Sequence, residues 1–114
     1  NGIWERKLME NPVSVNYTGT QTAGDFVLSQ NYPNPFNPAT VIRYELSKEN
    51  NVLLKIYDIL GNELATLVNE KQNRGKYEIK FSPLSSGLNL SSGIYFYKLK
   101  AGNISDTKSM ILLK

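Results

Sequence analysis

The chain contains no histidine and no cysteine. That removes imidazole bases, thiol nucleophiles and Cys/His zinc sites together. The acids Asp25, Asp58, Glu63, Glu78 and Asp106 fall at turn signals or on the polar side of alternating runs. None has a clustered acid beside it of the kind that acid–base catalysis in a cleft requires. They read as solvated surface. No catalytic residue, cofactor site or metal site is expected. The chemistry left to the chain is hydrogen bonding and surface recognition, and two segments stand out for it.

The first is Asn31-Tyr32-Pro33-Asn34-Pro35-Phe36-Asn37-Pro38, where three prolines and three asparagines surround two aromatics. Each proline fixes its own φ and removes a backbone donor. Each also pushes the preceding residue out of the α region. The segment therefore reads as an ordered connector, neither helix nor central strand. Asparagine side chains can satisfy backbone groups that no ladder reaches. Tyr32 and Phe36 are expected to pin the connector to a core. A strand-to-strand crossover is the first reading, direct contact with a receptor the second, and an asparagine-lined Ca²⁺ site a distant third.

The second segment is the tail Lys108-Ser109-Met110-Ile111-Leu112-Leu113-Lys114. As structure it is a last strand burying Met110 and Leu112. As a signal the recognition candidates are Lys108, Met110, Ile111, Leu112, Leu113 and Lys114, with flanking lysines and a backbone that could present unpaired groups at a sheet edge.

The elements that must position these segments are strands. Phe26 and Leu28 share a face within 25–30. Ile42, Tyr44 and Leu46 do so within 40–46, and Val52, Leu54 and Ile56 within 51–57. Tyr77, Ile79 and Phe81 alternate with lysines and Glu78, and Tyr95, Tyr97 and Leu99 alternate with Ile94, Phe96 and Lys98. Period-two alternation is the strand signature. Gly61-Asn62, Asn73-Arg74-Gly75, Ser82-Pro83, Ser91-Ser92-Gly93 and Gly102-Asn103 supply turns between the runs. Only 63–72 is ambiguous, because Leu64, Leu67 and Val68 fit helical spacing as well as strand. Tyr57, Tyr95, Phe96 and Tyr97 are assigned to cross-strand packing before any stacking platform. Strands spaced by roughly ten residues predict an all-β sandwich.

With 114 residues, 40% of them hydrophobic, the chain is long enough for one globular domain plus an arm. Its 13 basic and 10 acidic residues are too balanced to imply nucleic acid. No apolar run approaches the roughly 20 residues that span a bilayer. Residues 11–24 have linker composition. Residues 1–10, with the single Trp4, read as the end of something larger, and the chain as the C-terminal piece of a longer protein.

The blocks Phe26–Pro38, Ile56-Tyr57-Asp58, Leu60-Gly61, Gly75-Lys76-Tyr77, Ser92–Leu99 and Lys108–Lys114 together resemble the type A C-terminal sorting domain of the type IX (Por) secretion system. The resemblance covers about residues 25–114. It implies an Ig-like β-sandwich of about seven strands with an N-terminal extended arm, and a strand rather than a helix at 63–68. It also implies that Asn31–Pro38, Asp58, Gly61, Gly75, Gly93 and Tyr95 are structural motif residues. The implied role is an address. Translocon and shuttle proteins would carry the upstream cargo through the periplasm and across the outer membrane. A sortase-like cysteine protease would then cut between Asn11 and Asp25 and attach the cargo to the cell surface. Gly2–Leu8 resembles the last strand of a β-propeller blade. Two alternatives remain: self-association by donation of the 3–8 strand to a neighbouring sandwich, and a carbohydrate-binding module.

Overall fold

The computed structural model describes residues 26–114. The expected linker at 11–24, the arm, the cleavage region Asn11 to Asp25 and the propeller-like strand lie outside the described residues. Alternating side chains give seven strands: β1 (Phe26–Leu28), β2 (Thr40–Leu46), β3 (Asn50–Tyr57), β4 (Glu63–Gln72), β5 (Gly75–Phe81), β6 (Gly93–Ala101) and β7 (Ile104–Leu112). A three-stranded sheet runs β1-β2-β5 and a four-stranded sheet β4-β3-β6-β7, every pair antiparallel. This is the expected all-β, Ig-like sandwich. No helix occurs among the described residues.

The core lies where the two inner faces meet. Ile42 and Leu46 of β2 and Phe81 of β5 face Leu54 and Ile56 of β3, Tyr97 and Leu99 of β6 and Met110 of β7, all essentially without solvent contact. Two buried phenols tie the sheets through polar contacts. Tyr97 on β6 donates to the Ser29 carbonyl just beyond β1 at 2.7 Å. Tyr44 on β2 donates to Gln72 Oε1 at the end of β4 at 2.6 Å. Burial pushes both phenols up to about 12.

The ambiguous segment is a strand, and it runs four residues past the expected Val68 to Gln72. Its pairing with β3 shifts register twice, between Leu54 and Lys55 and between Ile56 and Tyr57. Each irregularity re-aims the side chains beside it. Leu64, Ala65, Leu67 and Val68 all reach the core as a result, which is why their spacing resembles a helix. The β3–β4 turn is organised by Asp58. Its Oδ1 accepts the amides of Leu60 and Asn62 at 2.9 Å each, and its Oδ2 accepts Asn62 Nδ2 at 3.0 Å. Gly61 sits at φ +88°, a left-handed conformation that favours glycine. Hydrogen bonds from the Asn62 side chain first, and from the loop amides, hold the Asp58 carboxyl below its ordinary range.

Truncating a core side chain removes its transfer energy and leaves a cavity. Leu54→Ala should cost about 3 kcal/mol, whereas Leu60→Ala, 83% exposed, should stay within about 0.5 kcal/mol. Urea unfolding of the two variants checks the contrast.

The raised phenols carry a second expectation. An unfolded tyrosine ionises near 10, while Tyr44 and Tyr97 hold their protons to about 12 in the fold. The unfolded state therefore binds fewer protons in that interval. Stability should be complete below pH 10 and fall as pH rises toward 12. Denaturant midpoints measured across that range should decline more gently in Tyr97→Phe than in the wild type.

Candidate functional site

The proline–asparagine segment and the tail meet. They are more than seventy residues apart in sequence, and the fold lays one along the other.

The segment is built from its first residue. Asn31 is buried, and its amide bonds are satisfied at once. Nδ2 donates to Thr40 Oγ1 at 3.0 Å and to the Pro33 carbonyl at 3.2 Å, while Oδ1 accepts from Gln30 Nε2 at 2.7 Å. Thr40 Oγ1 in turn donates to the same Pro33 carbonyl at 2.8 Å. Burying an amide without partners would cost several kcal/mol, so this closed set holds the start of the connector in one geometry. The three peptide bonds preceding Pro33, Pro35 and Pro38 are cis.

Tyr32 corrects an expectation. It does not pin the loop to the core; its side chain is 72% exposed. Its backbone does the fixing, in a two-way bridge with Val41 at 3.0 and 2.8 Å. With Asn31 turned inward, extended geometry turns Tyr32 outward. Phe36 carries the anchoring alone. It is fully buried, with its ring 6.1 Å from that of Phe81.

From that anchor the connector reaches the outer edge of β7. The Phe36 amide donates to the Ile111 carbonyl at 2.8 Å, and the Phe36 carbonyl accepts the Leu113 amide at 3.0 Å, a parallel bridge across Leu112. Asn34 Oδ1 accepts the Ile111 amide at 2.9 Å. Gln30 Nε2 donates to the Ser109 carbonyl at 2.7 Å. On the other side, the Lys114 amide donates to Ser92 Oγ at 2.9 Å. The idea of an open backbone edge along the whole tail therefore fails at Ser109–Leu113, where the connector already occupies it.

The tail's side chains divide by strand alternation. Met110 and Leu112 are buried in the core, while Ile111 and Leu113 point to solvent. Lys108 is half-buried and Lys114 exposed. Gly93 and Tyr95 pair with Leu112 and Met110 on β6, and the Tyr95 hydroxyl donates to the Ser91 carbonyl at 2.7 Å. Pro33, Asn34, Pro35, Asn37 and Pro38 are exposed. Gly75 stands apart, at the start of β5 opposite Leu46 in the other sheet, and Asp58 and Gly61 belong to the β3–β4 turn. A cavity of about 180 Å³ beside the tail is lined by Pro38, Pro83, Leu84, Leu88, Leu90 and Leu112.

Of the four aromatics assigned to packing, Tyr95 and Tyr97 are in the core, but Tyr57 and Phe96 lie half-buried on the outer face of the four-stranded sheet. Glu63 pairs with Lys55 at 2.9 Å and Glu78 with Arg43 at 2.6 Å. No grouping of three or more acids that could hold a metal ion occurs among the described residues. Sequence reasoning gave Gln30, Thr40 and Ser92 no role at the site, although Gln30 and Ser92 fall in the family-like blocks and Gln30 and Thr40 flank the motif.

The chain as a whole falls in a known class. The family model for the secretion system C-terminal sorting domain matches residues 30–113. The chain belongs to that family, the sorting domains of type IX secretion. Among solved structures it is similar in fold to dimeric latent PorU from Porphyromonas gingivalis, with a TM-score of 0.61 at 21% identity. That match covers 87% of this chain and 10% of the PorU chain. Comparison with curated proteins gave no match.

The clamp is testable apart from any biology. Asn34→Ala removes the acceptor of the Ile111 amide and should cost about 1 kcal/mol. Hydrogen exchange at Ile111 should accelerate while that at Leu54 changes only by the global loss. Unchanged protection at Ile111 would show that the contact does not hold the strand.

Proposed function

We propose that this chain is a non-enzymatic address. In this reading it directs an upstream cargo, through the type IX translocon and its shuttle proteins, to the cell surface or the medium. The route passes the periplasm and the outer membrane. A sortase-like cysteine protease then separates cargo from address between Asn11 and Asp25 and attaches the cargo to the surface. The catalytic groups belong to that protease, since the chain has neither histidine nor cysteine.

Membership of the sorting-domain family supports the general reading. One observation supports a folded signal: residues 30–36 and the tail are joined through the Phe36 backbone and the Asn34 and Gln30 side chains. A signal built this way is read as a folded object. The tail contributes through its place in the sandwich, and Ile111 and Leu113 are its accessible apolar side chains.

The experiment fuses the whole 114-residue chain to an inert reporter in a host with the type IX system. The intact fusion should be secreted and trimmed upstream of Phe26. A twin lacking 108–114 should be retained. Phe36→Ala, which removes the buried anchor and should cost about 3–5 kcal/mol, should be retained as well. Equal secretion of all three would overturn the folded-signal reading, and retention of the intact fusion would overturn the address itself.

A further inference from the structure

The outer face of the four-stranded sheet has an unusual composition for a solvated surface. β-Strand alternation puts Tyr57 of β3, Ile94, Phe96, Lys98 and Lys100 of β6 and Ile111 of β7 on this side. They are also neighbours across the strands. Tyr57 stands opposite Phe96, and Ile94 opposite Ile111. The outward bonding of Ile111 to Phe36 and Asn34 makes Ile94–Ile111 a pair without mutual backbone hydrogen bonds, the kind whose side chains approach most closely. Ile94 is 46% and Ile111 38% exposed. A shallow basin beside them brings Tyr57, Ile59, Phe96, Lys98 and Thr107 together. Ile59 and Leu60 of the turn and Leu113 of the tail are exposed large apolar residues too.

The charges on this face lean basic. Lys55 is neutralised by Glu63 and Lys71 approaches Glu49, but no carboxylate pairs with Lys98 or Lys100 among the described residues. The Asp58 carboxylate lines the same basin and stays ionised, but its hydrogen bonds go to the loop amides and Asn62 and it makes no ion pair with Lys98. An apolar and aromatic centre with a mainly basic rim, in which Lys98 and Lys100 have no ion-pair partner among the described residues, is the composition of a protein-binding surface.

We propose that this face is where the address is read, and that its reader is a protein surface with an apolar centre and a carboxylate rim. This rests on the sorting function proposed above. The apolar centre would cover Ile111, Ile94, Phe96 and Tyr57, and the carboxylates would meet Lys98 and Lys100. A second copy of this chain is a poorer complement, because with 13 basic and 10 acidic residues it has no surplus of carboxylates to offer. The clamp has a second role in this arrangement. The β6–β7 ladder sets Ile111 opposite Ile94, and the clamp secures the outer edge of the Ile111 backbone, so the tail completes the surface.

The test uses the intact chain fused to a reporter, with two variants of the face: Ile111→Ser, and the charge reversal Lys98→Glu with Lys100→Glu. Val27→Ser, on the outer face of the other sheet and 63% exposed, is the control. Thermal unfolding of each purified chain reports on folding; all should lie within about 3 °C of the wild type. Both face variants should lower secretion about tenfold or more, and the control should match the wild type. A folded pair of face variants secreted at the wild-type level would overturn the proposal while leaving the address intact. Wild-type retention would overturn the address first. If either face variant unfolds, Phe96→Thr replaces it under the same criterion. Concentration-dependent dimerisation abolished by the face variants, with secretion unchanged, would assign the face to a second copy and also overturn the proposal.

Discussion

The last strand of an open sheet has one edge that its own sheet cannot satisfy. Everything distinctive in this molecule follows from how that edge is handled at β7. Its inner edge pairs with β6 along its whole length. Its outer edge would otherwise present the Ser109 and Ile111 carbonyls and the Ile111 and Leu113 amides to any passing strand. The connector between β1 and β2 supplies partners for all four groups, two from the Phe36 backbone and one each from the Asn34 and Gln30 side chains. The prolines suit that task, because a segment poor in its own donors has no competing ladder to form. The connector therefore serves as a one-residue strand with side-chain outriggers.

That arrangement places polar and apolar demands on the same few residues. Phe36 must reach the core beside Phe81 while its backbone faces β7. Asn31 and Thr40 must be buried for the connector to leave β1 at the right height, and they are bonded to each other and to Pro33 so that burial is tolerated. The Tyr97 hydroxyl meets the Ser29 carbonyl on the same side of the sandwich. The end of β1, the connector, β6 and β7 thus share one contact system spanning both sheets. Strand alternation turns Ile111 and Leu113 outward, and this contact system holds the backbone that carries them.

The strands were legible in the sequence because alternation is a local signal. Ile42, Tyr44 and Leu46, or Tyr95, Tyr97 and Leu99, announce a buried face without reference to anything distant. The segment 63–72 was legible only as an ambiguity, since the register shifts against β3 blur its period. The site was less legible. Phe36 could be picked out as an anchor by size and hydrophobicity, but the same criterion chose Tyr32, which the inward turn of Asn31 sends to solvent. That Asn34 reaches the Ile111 amide is a fact of tertiary geometry, and no local pattern encodes it. The tail looked like an exposed edge for the same reason: its cover comes from the other end of the domain.

The sequence separation of that cover has a consequence for synthesis. Asn34 and Ile111 are 77 residues apart, and Gln30 and Ser109 are 79 apart. These bonds close only after nearly the whole domain has been made, and they are among the last that a growing chain can form. A polypeptide that stops short of Ile111 cannot complete them, however well its earlier strands pair. The closed sandwich is in effect a checksum over its own sequence. An early residue is tested against a late one, and only a message received to its end passes.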